Sequence, residues 1–176
     1  MRRIRTLIVA LALFAAAPLA AQQFDLKLGP EHAFLKEGEG VWDATAKSMG
    51  KESKGKLSCK MALNGLWMLE HYEGDAGGVA FEGRGATSYD PAKKKFVNVW
   101  IDSMVPSPML SEGTYDKDKK TLTLLGNMPT PDGKSLKSSV TITYKDANSK
   151  VLSLKASTLD GKEVEIVEIT YKRRAK

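Results

Sequence analysis

From Val41 to Arg173 no stretch of the chain carries helical periodicity. Short runs rich in Val, Leu, Thr, Tyr and Trp are instead broken by Gly, Asn, Asp or Pro, the pattern of hairpin-linked antiparallel strands. Ten strands are expected, with cores at 41–47, 56–63, 66–73, 79–88, 96–102, 109–115, 121–125, 136–144, 151–158 and 163–173. Alternation is cleanest late in the chain. Leu122 and Leu124 alternate with Thr121 and Thr123, and Val140, Ile142 and Tyr144 with Thr141 and Thr143, so each strand has one wet and one buried face. About ten such strands with no second helical layer would leave two exposed edges unless the sheet closes. The expected fold is therefore all-β, an up-and-down antiparallel β-barrel. A short helix over 29–36, with Pro30 and Glu31 at its start and Phe34-Leu35 on one side, precedes it.

The first 21 residues read differently. Arg2, Arg3 and Arg5 precede an apolar run over 7–17, and the small residues Ala20-Ala21 come before polar Gln22-Gln23. This is the pattern of a secretory signal peptide. The run is well short of the ~20 residues of a membrane span. Residues 22–176 are expected to form a single exported domain, periplasmic or extracellular, with no integral span after cleavage. Loss of three arginines lowers the net charge from +6 to +3, and the remaining lysines are interleaved with acids, so no nucleic-acid partner is expected. Cys59 is the only cysteine, so stability rests on core burial without an intramolecular disulfide.

Successive turns of an up-and-down barrel fall on alternate ends. The Asn64-Gly65 hairpin, the turns at 89–95, 117–118 and 146–149, the helix and the C-terminal Lys172-Arg173-Arg174 share one end, expected to be closed. The loops at 48–55, 75–78, 104–108, 127–135 and 160–161 share the other. Met49, Met104, Met109 and Met128 lie in or beside those loops, either as a flexible apolar entrance or as a cap on the core.

Gly40-Val41-Trp42 after a short helix is similar to the Gly-x-Trp opening of lipocalins and other calycins, with Arg173 resembling the arginine that crosses that tryptophan. Glu31-His32-x-x-Leu35, Gly40-x-Trp42, Glu73-Gly74, Phe81-Glu82-Gly83, Tyr89-Asp90-Pro91, Trp100-Ile101-Asp102-Ser103-Met104, Gly113-Thr114-Tyr115-Asp116, Gly133-Lys134 and Ile169-Thr170-Tyr171-Lys172-Arg173, in this order, resemble the bacterial domain-of-unknown-function family fifteen seventy-nine. The resemblance implies a calycin barrel similar to nitrobindins and no established activity. Nitrobindin-like barrels bind haem through a histidine late in the chain. Here no histidine follows His71, so neither haem nor another cofactor is expected.

Leu57, Cys59, Met61 and Leu63 share a face, so Cys59 is expected to point inward as a reduced thiol. A hairpin pairing Leu63 with Leu66 puts Glu70 opposite Cys59, whereas a bulged one turns His71 inward. Glu70 or His71 is accordingly the candidate polar contact to a ligand. Asn98, Trp100 and Asp102 share a face whose direction the pattern leaves open. Asp90 and Asp116 follow Tyr at strand ends, where Asp caps a turn. No Gly-x-Ser-x-Gly elbow, phosphate loop, dinucleotide fingerprint or metal motif occurs. The ligand-binding candidates are Glu70, His71, Cys59, Trp100, Asp102, Met104, Met109 and Met128, with Trp42 and Arg173 as structural closure. Three functions fit: binding of a small hydrophobic or amphipathic molecule in the barrel, an enzyme using Glu70 or His71, or a filled barrel acting through its surface.

Overall fold

The computed structural model describes residues 28–158 and 160–175. The expected signal peptide lies outside the described residues. Helix α1 (Pro30–Glu37) is followed by ten strands: β1 (Gly40–Ser48), β2 (Lys51–Ala62), β3 (Trp67–Asp75), β4 (Ala80–Asp90), β5 (Lys95–Asp102), β6 (Met109–Asp116), β7 (Thr121–Pro129), β8 (Ser135–Asp146), β9 (Ser149–Ser157) and β10 (Glu163–Arg173). Each strand pairs antiparallel with its sequence neighbours, and β1 pairs with β10, so the sheet closes into a ten-stranded barrel. No helix among the described residues is long and apolar enough to cross a membrane.

The turns follow local chemistry, with two corrections. The loop expected over 48–55 is a two-residue turn, Met49-Gly50, with φ of 49° and 75°, and β2 starts at Lys51. The loop expected over 127–135 shrinks to 130–134 because Met128 and Pro129 still pair with Leu136 and Ser135. Asp90 and Asp116 act as expected: each Oδ1 accepts two backbone N–H groups of its own turn, from Ala92 and Lys93 and from Asp118 and Lys119.

Large inward side chains concentrate at the helix-bearing end. Phe34 stacks on Tyr115 with ring centroids 3.9 Å apart and meets Phe96 and Tyr144 edge-on at 5.6 and 5.4 Å, so α1 plugs the barrel. His32 is buried beside Tyr89, its Nδ1 accepting from the Gly29 N–H. Trp42 is fully buried, and its indole N–H donates to the Gly38 carbonyl at 3.1 Å. Its register partner across the closing seam is Arg173, whose guanidinium carbon lies 4.1 Å from the indole centroid. That guanidinium also donates to the carbonyls of Glu37 and Ala147, at 2.7 and 2.9 Å, and of Glu39. One side chain thus ties the helix, the first strand, the last strand and the β8–β9 turn together.

Removing those charged hydrogen bonds and the contact over the indole should cost about 2–3 kcal/mol. Arg173→Ala is therefore expected to lower the melting temperature by roughly 4–10 °C for a domain of this size. An unchanged melting temperature would show that the closure holds without Arg173.

Candidate functional site

A ten-stranded barrel is too wide for its inward side chains to fill throughout. Past the aromatic plug the lumen opens into a cavity of about 1110 Å³ that runs to the opposite end. The filled-barrel alternative does not describe this interior. Leu57, Leu124, Val140, Leu152, Leu154 and Ile169 make the wall mostly apolar, because each is the inward member of an alternating strand.

Glu70 is on the cavity wall and His71 is not. Cys59 pairs with Glu70, the register of a Leu63–Leu66 pairing, although the strands stop at Ala62 and Trp67 and leave a four-residue turn. Leu63 and Asn64 take positive φ there, which closes the turn without a bulge in β3 and keeps the even-numbered residues inward. His71 instead faces outward, with its Nε2 3.0 Å from Glu82 Oε1, and Arg84 pairs with that same Glu82 rather than with Glu70. Of the two alternatives the sequence leaves open, this register is the one with Glu70 inward, and the bulged one with His71 inward does not occur.

Glu70 Oε2 accepts from Thr87 Oγ1 at 3.3 Å, and Thr87 Oγ1 accepts from Asn98 Nδ2 at 2.9 Å. Thr87 and Asn98 are register partners on β4 and β5, so a short polar ladder descends the wall beside the carboxylate. Burial pushes the Glu70 carboxyl above the ordinary carboxylate range, opposed by the positive charge of Lys150 and the Thr87 hydrogen bond. Lys150, not singled out by the sequence, is a second charged side chain deep in the cavity. It is 4% exposed, and its Nζ lies 4.5 Å from the Trp42 ring centroid, 5.4 Å from that of Tyr171 and 5.8 Å from that of Tyr144. Its signal was parity. Lys150 shares a face with Leu152, Leu154 and Ala156, and so it points inward with them.

Cys59 is buried in the adjoining core. Burial, reinforced by Glu70, pushes its thiol up to about 12, outweighing Lys150 and Arg173, which pull the other way. Trp100 lines the cavity, its ring lying across the inward backbone of β4. A Cβ on Gly83 would stand 2.2 Å from the indole, and one on Gly85 would meet both Trp100 and Glu70 at 3.0 and 2.9 Å. Two glycines thus make room for the indole beside the carboxylate. Asp102 lines the outer part of the cavity but spends its oxygens on structure, accepting from Trp100 Nε1 at 3.1 Å and from the Met104 and Val105 backbone at 2.8 and 3.3 Å. It fixes the indole and the mouth loop. Met49, Met104, Met109 and Met128 all line the cavity toward the open end, with Met104 53% exposed.

No histidine lines the cavity, since His71 is outside and His32 is in the plug. The histidine-ligated haem of nitrobindin-like barrels therefore does not fit this interior. Among the described residues no group of three or more His, Cys, Asp or Glu is placed to hold a metal ion.

The family described as "Protein of unknown function (DUF1579)" matches residues 27–173, almost the whole barrel. The chain belongs to this family. No curated protein matches the sequence. Among solved structures, the DUF1579 barrel is similar to Rv2717c from M. tuberculosis, with a TM-score of 0.60 at 14% identity, covering 85% of this chain and 100% of that one. A de novo designed fluorescence-activating β-barrel matches with a TM-score of 0.45 at 17% identity, covering 80% of this chain and 96% of that one. The likeness to Rv2717c concerns the barrel fold alone.

Two predictions follow from the interior. The folded protein holds the Glu70 proton more tightly than the unfolded chain, so this group makes stability fall as pH rises from its ordinary value of 4.5 toward the raised one. Glu70→Gln removes that slope while leaving Lys150, Cys59, Tyr144 and Tyr171, the ionisable groups coupled to it, in place. The variant's melting temperature should gain on the wild type as pH rises from 4.5 to 8, and parallel curves would contradict a raised Glu70. Cys59 should resist a bulky thiol reagent in the native protein and react once the chain unfolds. Rapid native labelling would place the thiol at the surface.

Proposed function

We propose that this DUF1579 barrel binds a small amphipathic molecule in its lumen, entering past Met104, Met109 and Met128. The observation that carries this reading is the continuity of the cavity. An apolar passage leads from a methionine-lined opening to two ionisable side chains, Glu70 and Lys150, held at depth. At about 1110 Å³ it lies just above the roughly 300–1,000 Å³ usual for small-ligand sites, and an apolar wall with few polar groups is their common composition. Catalysis in the same cavity would need Glu70 to act as a proton donor or acceptor. Among the described residues the side-chain hydrogen bond of Glu70 is to the Thr87 hydroxyl, and its ionisable neighbours act on it through charge, without a hydrogen bond to it. Binding therefore takes precedence.

Export is part of the proposal. The positive segment and apolar run before Gln22 support it, and the N-terminus of the protein isolated from its own host should then be Gln22. An N-terminus at Met1 in the cytoplasmic fraction would remove export.

A neutral solvatochromic dye should bind the wild type saturably at one site. Leu154→Trp, which puts an indole into the lumen, should weaken the dye at least tenfold while the barrel still melts cooperatively. Triple Met→Ser at 104, 109 and 128 should weaken it with little change in melting temperature if these residues form an entrance. Clear destabilisation instead would make them a core cap. A dye that ignores Leu154→Trp is not in the cavity, and that result would overturn the proposal.

A further inference from the structure

Lys150 sits where a lysine has the least reason to be. Its ammonium has three N–H donors. Among the described residues it has no hydrogen-bond acceptor and no carboxylate within ion-pairing distance, and its neighbours are the faces of Trp42, Tyr171 and Tyr144. Ring faces attract the charge but accept no conventional hydrogen bond, so the donors remain unused. The Trp42 ring already has the Arg173 guanidinium over it, so closure of the barrel end does not depend on a second cation. Lys150 is also a wall residue of the cavity and shares that wall with Glu70 and Thr87.

We infer that Lys150 receives the carboxylate head of an amphiphile whose apolar tail lies along the lumen toward the methionine-lined mouth. This rests on the proposed binding function and adds the polarity and orientation of the ligand. A single ammonium calls for a single negative charge. The Glu70 carboxyl on the same wall, raised by burial above the ordinary carboxylate range, adds no second positive charge for a doubly charged head such as a phosphate monoester. The tail is assigned by what lies between head and mouth: Leu57, Leu124, Val140, Leu152, Leu154 and Ile169. The inverse orientation would set the head at a mouth whose Lys51 is outnumbered by the acids Glu52, Asp75 and Asp102, and would bury the tail end against Glu70 and Lys150, an unfavourable match for a carboxylate and for its tail.

The test is head-group selectivity at constant tail, measured with the purified protein by displacement of the neutral dye: dodecanoate, dodecanol, dodecyl phosphate and dodecylammonium. Dodecanoate should bind at least about tenfold more tightly than the other three, since a desolvated charge pair is worth a few kcal/mol. Lys150→Met should erase that preference while dodecanol affinity stays within about threefold, and Lys150→Arg should largely keep it. If Lys150→Met does not fold, the wild-type ranking and the Lys150→Arg variant still decide. Equal affinity for dodecanoate and dodecanol would overturn the head assignment and leave the cavity reading intact. Tightest binding of dodecylammonium or dodecyl phosphate would overturn the carboxylate, as would a preference that survives Lys150→Met. Failure of all four probes and of the dye to bind would overturn the cavity reading itself.

Discussion

The structure depends on one indole. Trp42 is fully buried with two cations on its ring, the Arg173 guanidinium 4.1 Å from its centroid and the Lys150 ammonium 4.5 Å from it. Arg173 uses the contact to tie β10, β1, the end of α1 and the β8–β9 turn into a closed floor. The seam, which the Arg174–Asp43 ion pair and the Ser48 hydroxyl donating to the Ile166 carbonyl also bridge, is thereby fixed at the end where the first and last strands meet. The same ring lies under the Lys150 ammonium that β9 parity turns into the lumen, so the closed floor and the charge at the base of the cavity meet at one side chain.

The volume of the cavity follows from how side chains are distributed along the axis. Phe34, Trp42, Phe96, Tyr115, Tyr144 and Tyr171 crowd the helix-bearing end. Further up the walls many inward positions are small, Ala46 and Ser48 on β1, Ser53 and Gly55 on β2, Gly83 and Gly85 on β4, with Tyr72, Phe81 and Trp100 as the large exceptions. Ring closure with this taper leaves a space that protein atoms do not fill. Gly83 and Gly85 matter for a second reason, since Trp100 lies across them and any Cβ would drive the indole away from Glu70.

Much of this was legible in the sequence, and the failures have physical causes. Strand order, turn residues and the sorting of loops between two ends are set by local chemistry, and they hold, whereas the start of β2 at Lys51 and the end of β7 at Pro129 reach into stretches read as loops. Trp42 and Arg173 were legible as a pair because the two ends of the strand sequence must meet in a closed barrel. Facing was harder wherever both faces of a strand are partly apolar. Trp67, Leu69 and His71 alternate with Met68, Glu70 and Tyr72, and only the turn geometry at Leu63-Asn64 decides which set is inside. Trp100 and Asp102 shared the ambiguity with Val99 and Ile101. Lys150 was missed because a lysine beside a turn reads as solvated. Its parity with Leu152 and Leu154 carried the information, but composition argued against using it.

The central claim is that the lumen exists to be occupied by a small molecule. Native mass spectrometry of the protein purified from its own host, without detergent or added lipid, tests it most directly. The account predicts a population heavier than the bare chain by one small organic molecule, released on denaturation and recovered in organic solvent. A single species at the mass of the bare chain, under conditions that preserve the fold, would contradict it.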